Sequence, residues 1–202
     1  MRALSSILVA TVAVAMAAGG TAHAAPPFVY DRELRIVARD SLWQAVTDDP
    51  GFARTDVRRV YVRCYRNKKA FERVFEQRFG LSASRVIAYY AGGADVHLRD
   101  GTCDNVRSFL RGRRTVYTAG AYAILLHEAL HRQGVRDERI TTCLANDAVR
   151  WGTLGLGLDE TMALRARNLA LTFTRLFAPA QYRMGKPNCL LFSRRTDWTD
   201  HR

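Results

Sequence analysis

The sequence contains very little lysine, no closely spaced cysteine pair and no long apolar segment after its first 24 residues. Its formal net charge of +12 comes from 31 basic and 19 acidic residues, and the lysines among them are Lys68, Lys69 and Lys186. The charge is therefore almost entirely arginine. These arginines are spread along the chain, without a zinc-finger spacing, an RNP motif or a glycine–lysine phosphate loop, so nucleic acid is an unfavoured partner. An apolar content of 48% also excludes a disordered chain.

The first 24 residues have the organisation of a Sec-type signal peptide. Arg2 supplies the positive start, residues 7–18 are apolar, and an Ala-His-Ala sequence ends at Ala24. The apolar segment is shorter than the roughly 20 residues that a membrane-spanning helix needs, although an uncleaved anchor is the alternative. We expect cleavage before Ala25 and a single domain over residues 25–202. The protein would then be secreted, outside the cell or at the cell envelope, with no membrane span after cleavage.

The cysteines after the signal peptide form an even set: Cys64, Cys103, Cys143 and Cys189. Because the set has no CxxC pair and export permits disulfides, two bridges are favoured over a zinc–thiolate site. Three pairings are possible. We prefer Cys64–Cys103 with Cys143–Cys189, since this pairing joins neighbours in the sequence.

Apolar periodicity predicts an α+β domain that is rich in helix and has a small sheet packed against its longest apolar helix. We expect helices over residues 31–46, 67–79, 116–133, 137–151 and 159–177. Strands are expected over residues 57–65, 85–91 and 95–99, with a turn at Asp100-Gly101 after the last strand. A glycine-rich joint is expected over residues 152–157, and residues 181–202 have no regular pattern.

The longest apolar helix contains an HExxH motif, which reads His-Glu-Ala-Leu-His over residues 127–131. Residues four apart lie on one face of a helix, so His127 and His131 can reach one metal ion. Glu128 would face the open side of that metal, where it can take a proton from a bound water and pass it to a leaving amine. Zinc lowers the pKa of such a water towards about 7. We therefore predict a Zn²⁺ site with these two histidine ligands and Glu128 as the catalytic base.

The third protein ligand is expected soon after the motif, because Gly134 allows a sharp turn that brings the next helix back beside His131. Glu138 is the preferred candidate, since it presents a carboxylate on one face of that helix. Asp137 is a close second that would arrive directly from the turn, and Asp147 is third. The alternative role for Asp137 and Glu138 is to place negative charge at the helix N-terminus.

The motif on its helix resembles that of the zincin metallopeptidases. Residues 127–137 also resemble the HExxHxxGxxD pattern of snapalysin-type secreted neutral proteases, in which the residue matching Asp137 is the third ligand. Residues 126–145 are more similar to secreted actinobacterial HExxH proteins with a glycine, an Asn/Asp-Glu pair and a Glu-Cys-x-Ala segment. Here that segment begins with Thr142 in place of Glu. If the glutamate is that group's metal ligand, the resemblance implies weaker zinc binding in this chain.

The zincin resemblance implies a minimal zincin-like domain in which the edge of a strand pairs with the extended substrate. Residues 95–99 are the expected edge strand. His97 on that strand could be a distant metal ligand or a transition-state donor, but a surface position is favoured. Tyr117, Tyr122 and Tyr182 could stabilise an oxyanion, although aromatic residues near a helix more often belong to the core. They are left outside the predicted site.

Taken together, these patterns predict a secreted zinc-dependent metallopeptidase that hydrolyses peptide or protein substrates with Glu128 as general base. The alternative is a non-catalytic zincin-like secreted protein that binds an anionic polymer of the cell envelope or a protein partner. Thr142 and the arginine-rich composition motivate this alternative.

Overall fold

A computed structural model describes residues 25–46 and 57–183, and this part of the chain has an α+β fold. The predicted signal peptide, the segment 47–56 and the C-terminal segment with Cys189 lie outside the described residues. The elements in chain order are β1 (Phe28–Tyr30), α1 (Arg32–Val46), β2 (Tyr61–Tyr65), α2 (Lys68–Phe79), β3 (Ala88–Tyr90), β4 (Asp95–Leu98), α3 (Asp100–Leu110), α4 (Val116–Gln133), α5 (Glu138–Gly155), α6 (Glu160–Phe177) and a short 3₁₀ helix (Ala180–Tyr182).

The four strands form one mixed sheet in the order β1-β2-β4-β3. β2 pairs with β4 in parallel, while β1 and β3 are antiparallel to their neighbours. The expectation that residues 95–99 form the edge strand is therefore wrong, because β4 lies between β2 and β3. The edge strand on that side is β3, which the sequence places within the predicted strand 85–91.

The two central strands, β2 and β4, have buried residues on both faces of the sheet, whereas Val29 and Tyr30 of β1 are exposed. One face packs on α1 and the helices that follow the sheet, in a core that includes Leu34, Leu42, Val62, Val96, Leu98, Val106, Phe109, Leu125, Leu126 and Val149. The other face forms a smaller aromatic cluster with α2, made of Tyr65, Phe71 and Tyr89. Side chains alternate between faces along a strand, so neighbouring residues of β2 contribute to different clusters.

Helix α4, which carries the HExxH motif, is the central helix of the described part. It contacts α3, α5 and α6 as well as β3 and β4. Thr115 caps its N-terminus in a capping box with Thr118, which satisfies backbone N–H groups that would otherwise lack partners. The helix ends at Gly134, whose φ of 105° is in the left-handed region that favours glycine. The predicted hairpin at Gly134 is present, and α5 packs back against α4.

Two loop features expected from the sequence are helical in the structure. Asp100 and Gly101 begin α3 instead of forming a hairpin turn, and Asp100 places its negative charge where the helix dipole favours it. The expected glycine joint at 152 is also wrong, since α5 continues to Gly155. Gly152 has no side chain because the hydroxyl groups of Ser41 and Tyr122 occupy the space that a Cβ would need.

The predicted disulfide between Cys64 and Cys103 is present and joins β2 to α3 across 39 residues of sequence. Cys143 is also disulfide-bonded, and its predicted partner Cys189 lies outside the described residues. Disulfides persist in oxidising compartments, which is compatible with export. Among the described helices, none combines the length and apolar character required to cross a membrane.

Candidate metal centre

Three side chains from α4 and α5 converge on one point at the end of the central helix. The Nε2 atoms of His127 and His131 lie 3.0 Å apart. The Oε2 atom of Glu138 lies 2.9 Å from the first nitrogen and 3.3 Å from the second. Among the described residues, these three form a group whose ligand atoms all lie within 4.8 Å of one another.

The donor set and its spacing fit a zinc ion. Two imidazole nitrogens and one carboxylate oxygen are the protein ligands of a common class of catalytic zinc site. A tetrahedral site with bonds of about 2.0–2.1 Å places neighbouring ligand atoms about 3.3 Å apart. The observed separations of 2.9–3.3 Å are close to that value, so a small outward movement of the side chains would accommodate the ion.

Local structure explains why the two histidines offer Nε2. Their four-residue spacing places both rings on one face of α4. The turn after Gly134 brings the carbonyl oxygen of Val135 to 2.7 Å from Nδ1 of His131, so this nitrogen donates its proton to the carbonyl. Nδ1 of His127 lies 3.2 Å from the hydroxyl of Thr142. Outer hydrogen bonds of this kind orient metal-ligating imidazoles and select their tautomer.

The other two candidates for the third ligand are engaged elsewhere. Asp137 is the N-cap of α5 and its carboxylate accepts the Ile140 N–H at 2.9 Å, which is the structural role considered for it in the sequence. Asp147 pairs with the largely buried Arg167 at 2.8 Å. The structure therefore brings Glu138 to the histidine pair and places neither aspartate there.

Glu128 lies beside the candidate metal centre on the side of the sheet. Its carboxylate accepts a hydrogen bond from the backbone N–H of Tyr90 on the edge strand β3. Burial raises the pKa of Glu128, and the nearby imidazoles of His127 and His131 oppose this effect only in part. A carboxylate with a raised pKa is better suited to accept and release protons near neutral pH.

The ligand groups also polarise one another. Burial alone would raise the pKa of Glu138, but its hydrogen bonds to His127 and His131 outweigh burial and lower the pKa to about 2. Burial alone would lower the pKa of His131, but its bonds to Glu138 and to the Val135 carbonyl raise it. The carboxylate is thus held in the anionic form that a metal ligand requires.

The candidate metal centre opens into a cleft of about 610 Å³. The residues that line it include Tyr89 and Tyr90 of β3 and Tyr182 of the 3₁₀ helix. The ring centre of Tyr182 lies 5.8 Å from that of His127. Burial raises the pKa of the Tyr182 hydroxyl, and the negative charges of Glu138 and Glu128 raise it further. Tyr182 is therefore the one of the three tyrosines considered in the sequence that lies at the site.

The other two tyrosines and His97 lie away from the centre. Tyr117 is exposed at the start of α4, about 15 Å along the helix from His127 at 1.5 Å per residue. Tyr122 is fully buried and hydrogen-bonded to Ser41. The expectation of a surface position for His97 is wrong, because its exposed fraction is 4%. It is hydrogen-bonded to Tyr65 at 2.9 Å and stacked on Tyr89.

Sequence reasoning missed the two backbone groups that hold the site, the Tyr90 N–H and the Val135 carbonyl. Backbone atoms have no residue-type signature, so neither could be read from a motif. Gly134 was the one available signal, since a sharp turn there returns the following carbonyl towards the helix end.

Comparison with known proteins gives no match to this chain, neither to a protein-family model, nor to a curated protein, nor to a solved structure. The chemistry of the centre has to be inferred from its own side chains.

Proposed function

We propose that this protein is a secreted zinc-dependent metallopeptidase, with His127, His131 and Glu138 as metal ligands and Glu128 as general base. The observation that carries the proposal is the convergence of two Nε2 atoms and one carboxylate oxygen at 2.9–3.3 Å. A carboxylate from the same HExxH motif lies beside them. A bound zinc ion would polarise a substrate carbonyl and activate a water molecule at neutral pH.

Glu128 is suited to the proton transfers of peptide hydrolysis. Its carboxylate can take a proton from the attacking water and later give it to the leaving amine, so the group returns to its starting state. The hydrogen bond from the Tyr90 amide keeps the carboxylate next to the metal centre. His131 directs its Nδ1–H to the Val135 carbonyl, away from the proposed reaction, and Nδ1 of His127 is in contact with the Thr142 hydroxyl.

The position of the edge strand β3 in the cleft favours a polypeptide as the substrate. It forms one side of the sheet, and Tyr89 and Tyr90 line the cleft. An extended peptide can add to an exposed sheet edge through main-chain hydrogen bonds, which would lay its scissile bond across the metal centre. The signal-peptide pattern and the disulfide at Cys64–Cys103 support action outside the cytoplasm.

Metal analysis combined with one active-site substitution tests this function. We expect the purified protein to hold about one zinc per chain and to hydrolyse an unfolded protein substrate. Glu128→Gln should keep the zinc and lose hydrolysis by about 10²–10⁴-fold. Glu160→Gln, which removes a carboxylate from the start of α6, is the matched control and should behave like the wild type.

Two results would overturn the proposal. One is a folded wild-type protein that binds no zinc. The other is equal biological activity of zinc-loaded wild type and Glu128→Gln. That result would favour the alternative of a non-catalytic secreted binding protein.

A further inference from the structure

Three arginines line the cleft at the metal centre: Arg58, Arg132 and Arg136. We call them the arginine rim. Arg132 directly follows His131 at the end of α4, Arg136 lies in the turn two residues before Glu138, and Arg58 precedes β2. Positive charge therefore borders the place where a substrate would meet the metal ligands.

A buried glutamine holds part of this rim in place. Gln133 is fully buried; its Oε1 accepts the backbone N–H of Arg58 at 2.8 Å, and its Nε2 donates to the Arg58 carbonyl at 3.1 Å. The Nε–H of Arg132 donates to the carbonyl of Arg59 at 3.3 Å. These hydrogen bonds attach the chain that carries Arg58 to the end of α4 and hold it beside Arg132.

Acidic groups of the described residues do not neutralise the charge of the rim. Within residues 25–46 and 57–183, no carboxylate forms an ion pair with any of the three guanidinium groups. Other arginines of the fold are paired, such as Arg167 with Asp147 at 2.8 Å. The cleft carboxylates, Glu128 and Glu138, face the metal centre. With respect to the described residues, the rim therefore presents three positive charges without an ion-pair partner.

The positive lining continues beyond the cleft. A second groove of about 760 Å³ shares Arg58 with the rim and is also lined by Arg35, Arg39 and Arg59. Of these, Arg39 is paired with Asp40. Because the two grooves share Arg58, one basic surface extends outward from the metal centre.

We propose that the substrate is a polypeptide with acidic residues next to the scissile bond, whose carboxylates bind the arginine rim; this inference rests on the proposed peptidase function. A guanidinium binds a carboxylate through paired N–H···O bonds, and complementary charge speeds association and disfavours basic partners. The edge strand β3 in the same cleft favours a polypeptide, because an anionic polymer without backbone amides cannot pair with a strand.

Matched peptides test this specificity. Fluorogenic peptides of equal length carry either Asp and Glu or Asn and Gln around the same central bond, and the ratio of their kcat/KM values is measured. For zinc-loaded wild type we expect the acidic peptide to be favoured by about tenfold at low salt, and less as salt rises. Arg58→Gln, Arg132→Gln and Arg136→Gln should each lower the ratio by about threefold. Arg165→Gln, an exposed arginine on α6 outside the cleft, changes net charge equally and should leave the ratio unchanged.

A binding measurement separates this inference from the peptidase function. Fluorescence anisotropy reports binding of the same peptides to zinc-loaded Glu128→Gln, alone and combined with Arg132→Gln, with polyphosphate as competitor. Acidic-peptide binding that Arg132→Gln weakens, without cleavage by wild type, would support the acidic ligand and overturn the peptidase function. Equal kcat/KM values for the two peptides would overturn the inference. It would also be overturned if Arg165→Gln lowered the ratio as much as the substitutions in the arginine rim. The inference would also be overturned if polyphosphate displaced the labelled peptide at a lower concentration of negative charges than unlabelled acidic peptide does. That result would favour an anionic polymer as the ligand.

Discussion

The hydroxyl of Thr142 lies 3.2 Å from Nδ1 of His127, while the carboxylate of Glu138 meets Nε2 of the same ring. The resemblance of residues 126–145 described from the sequence implies a glutamate at the position of Thr142. In this structure that position contacts the outer nitrogen of the ring, and the carboxylate at the inner nitrogen comes from Glu138. The absence of a glutamate at 142 therefore leaves the His–His–Glu donor set complete.

Removing the hydroxyl of Thr142 should weaken zinc binding without removing a ligand. We expect Thr142→Val to raise the zinc Kd by about 10–100-fold, the usual effect of losing an outer hydrogen bond to a ligating histidine. Thr142→Ser keeps the hydroxyl and should stay close to wild type. Competition with a chromophoric chelator measures both. Equal affinity of Thr142→Val and wild type would show that this contact does not orient the ring.

The choice between Glu138 and Asp137 as third ligand can be decided with two neighbouring substitutions. Glu138→Gln should weaken zinc binding by more than about 100-fold, since loss of a ligand exceeds loss of an outer contact. Asp137→Ala should keep the zinc but lower the free energy of unfolding by about 1 kcal/mol, because it removes the N-cap of α5. Metal content and denaturant unfolding are the two measurements. The reverse pattern of zinc loss would identify Asp137 as the ligand.

His97 should make the fold less stable in acid. Burial, with a smaller contribution from the charge of Arg63, lowers its pKa to about 4 from an ordinary value of 6.5. Between pH 4 and pH 6.5, His97 is therefore protonated in the unfolded chain and neutral in the folded protein. His97 leaves the free energy of unfolding unchanged above pH 6.5. As the pH falls from 6.5 to 4, it lowers the free energy of unfolding by about 3 kcal/mol.

The comparison with His97→Gln isolates this contribution. The variant loses packing and a hydrogen bond at every pH, but its free energy of unfolding should vary less between pH 7 and pH 4 than that of wild type. Both proteins are measured by urea unfolding in the presence of a chelator, so that metal loss does not contribute. An identical pH dependence in the two proteins would contradict the assignment to His97.

The disulfide between β2 and α3 should be a major source of stability. It closes a loop of 39 residues, and the loss of unfolded-chain entropy for such a loop corresponds to about 4 kcal/mol. The double variant Cys64→Ala with Cys103→Ala should therefore unfold at a clearly lower denaturant concentration. The difference should disappear when both proteins are compared in reductant, apart from the effect of the small side-chain truncations. A change below about 1 kcal/mol would show that the bridge adds little constraint.

Two glycines of α5 should respond oppositely to alanine. Gly152→Ala would place a Cβ against the hydroxyl groups of Ser41 and Tyr122, and such overpacking typically costs about 1–3 kcal/mol. Gly155→Ala would meet only the Gln44 side chain at 3.6 Å, an ordinary contact. Since alanine favours helix more than glycine does, it should be neutral or stabilising by up to about 1 kcal/mol. Thermal or denaturant unfolding distinguishes them, and equal effects would contradict the packing described around Gly152.

Much of the helix content could be predicted from the sequence, because the apolar spacing of α1, α4 and α6 records which face each helix buries. The hairpin at Gly134 was also predictable from a residue that tolerates positive φ. Helix α3 and strand β1 were not predicted. Asp100-Gly101 suits a turn as well as a helix start, and β1 has three residues, too few for a period to be recognised.

The sequence by itself determined that His127 and His131 share one face of a helix, since they are four residues apart, and that Glu128 follows the first of them. It also offered three acidic residues as candidates for a third ligand. Only the tertiary structure decided among them: the turn at Gly134 sets the angle at which α5 returns, and that angle brings Glu138 to the histidine pair while Asp137 caps the helix. The arginine rim likewise depends on the tertiary structure, because Gln133 joins Arg58 to Arg132 across 74 residues of sequence and unites charges that look dispersed along the chain.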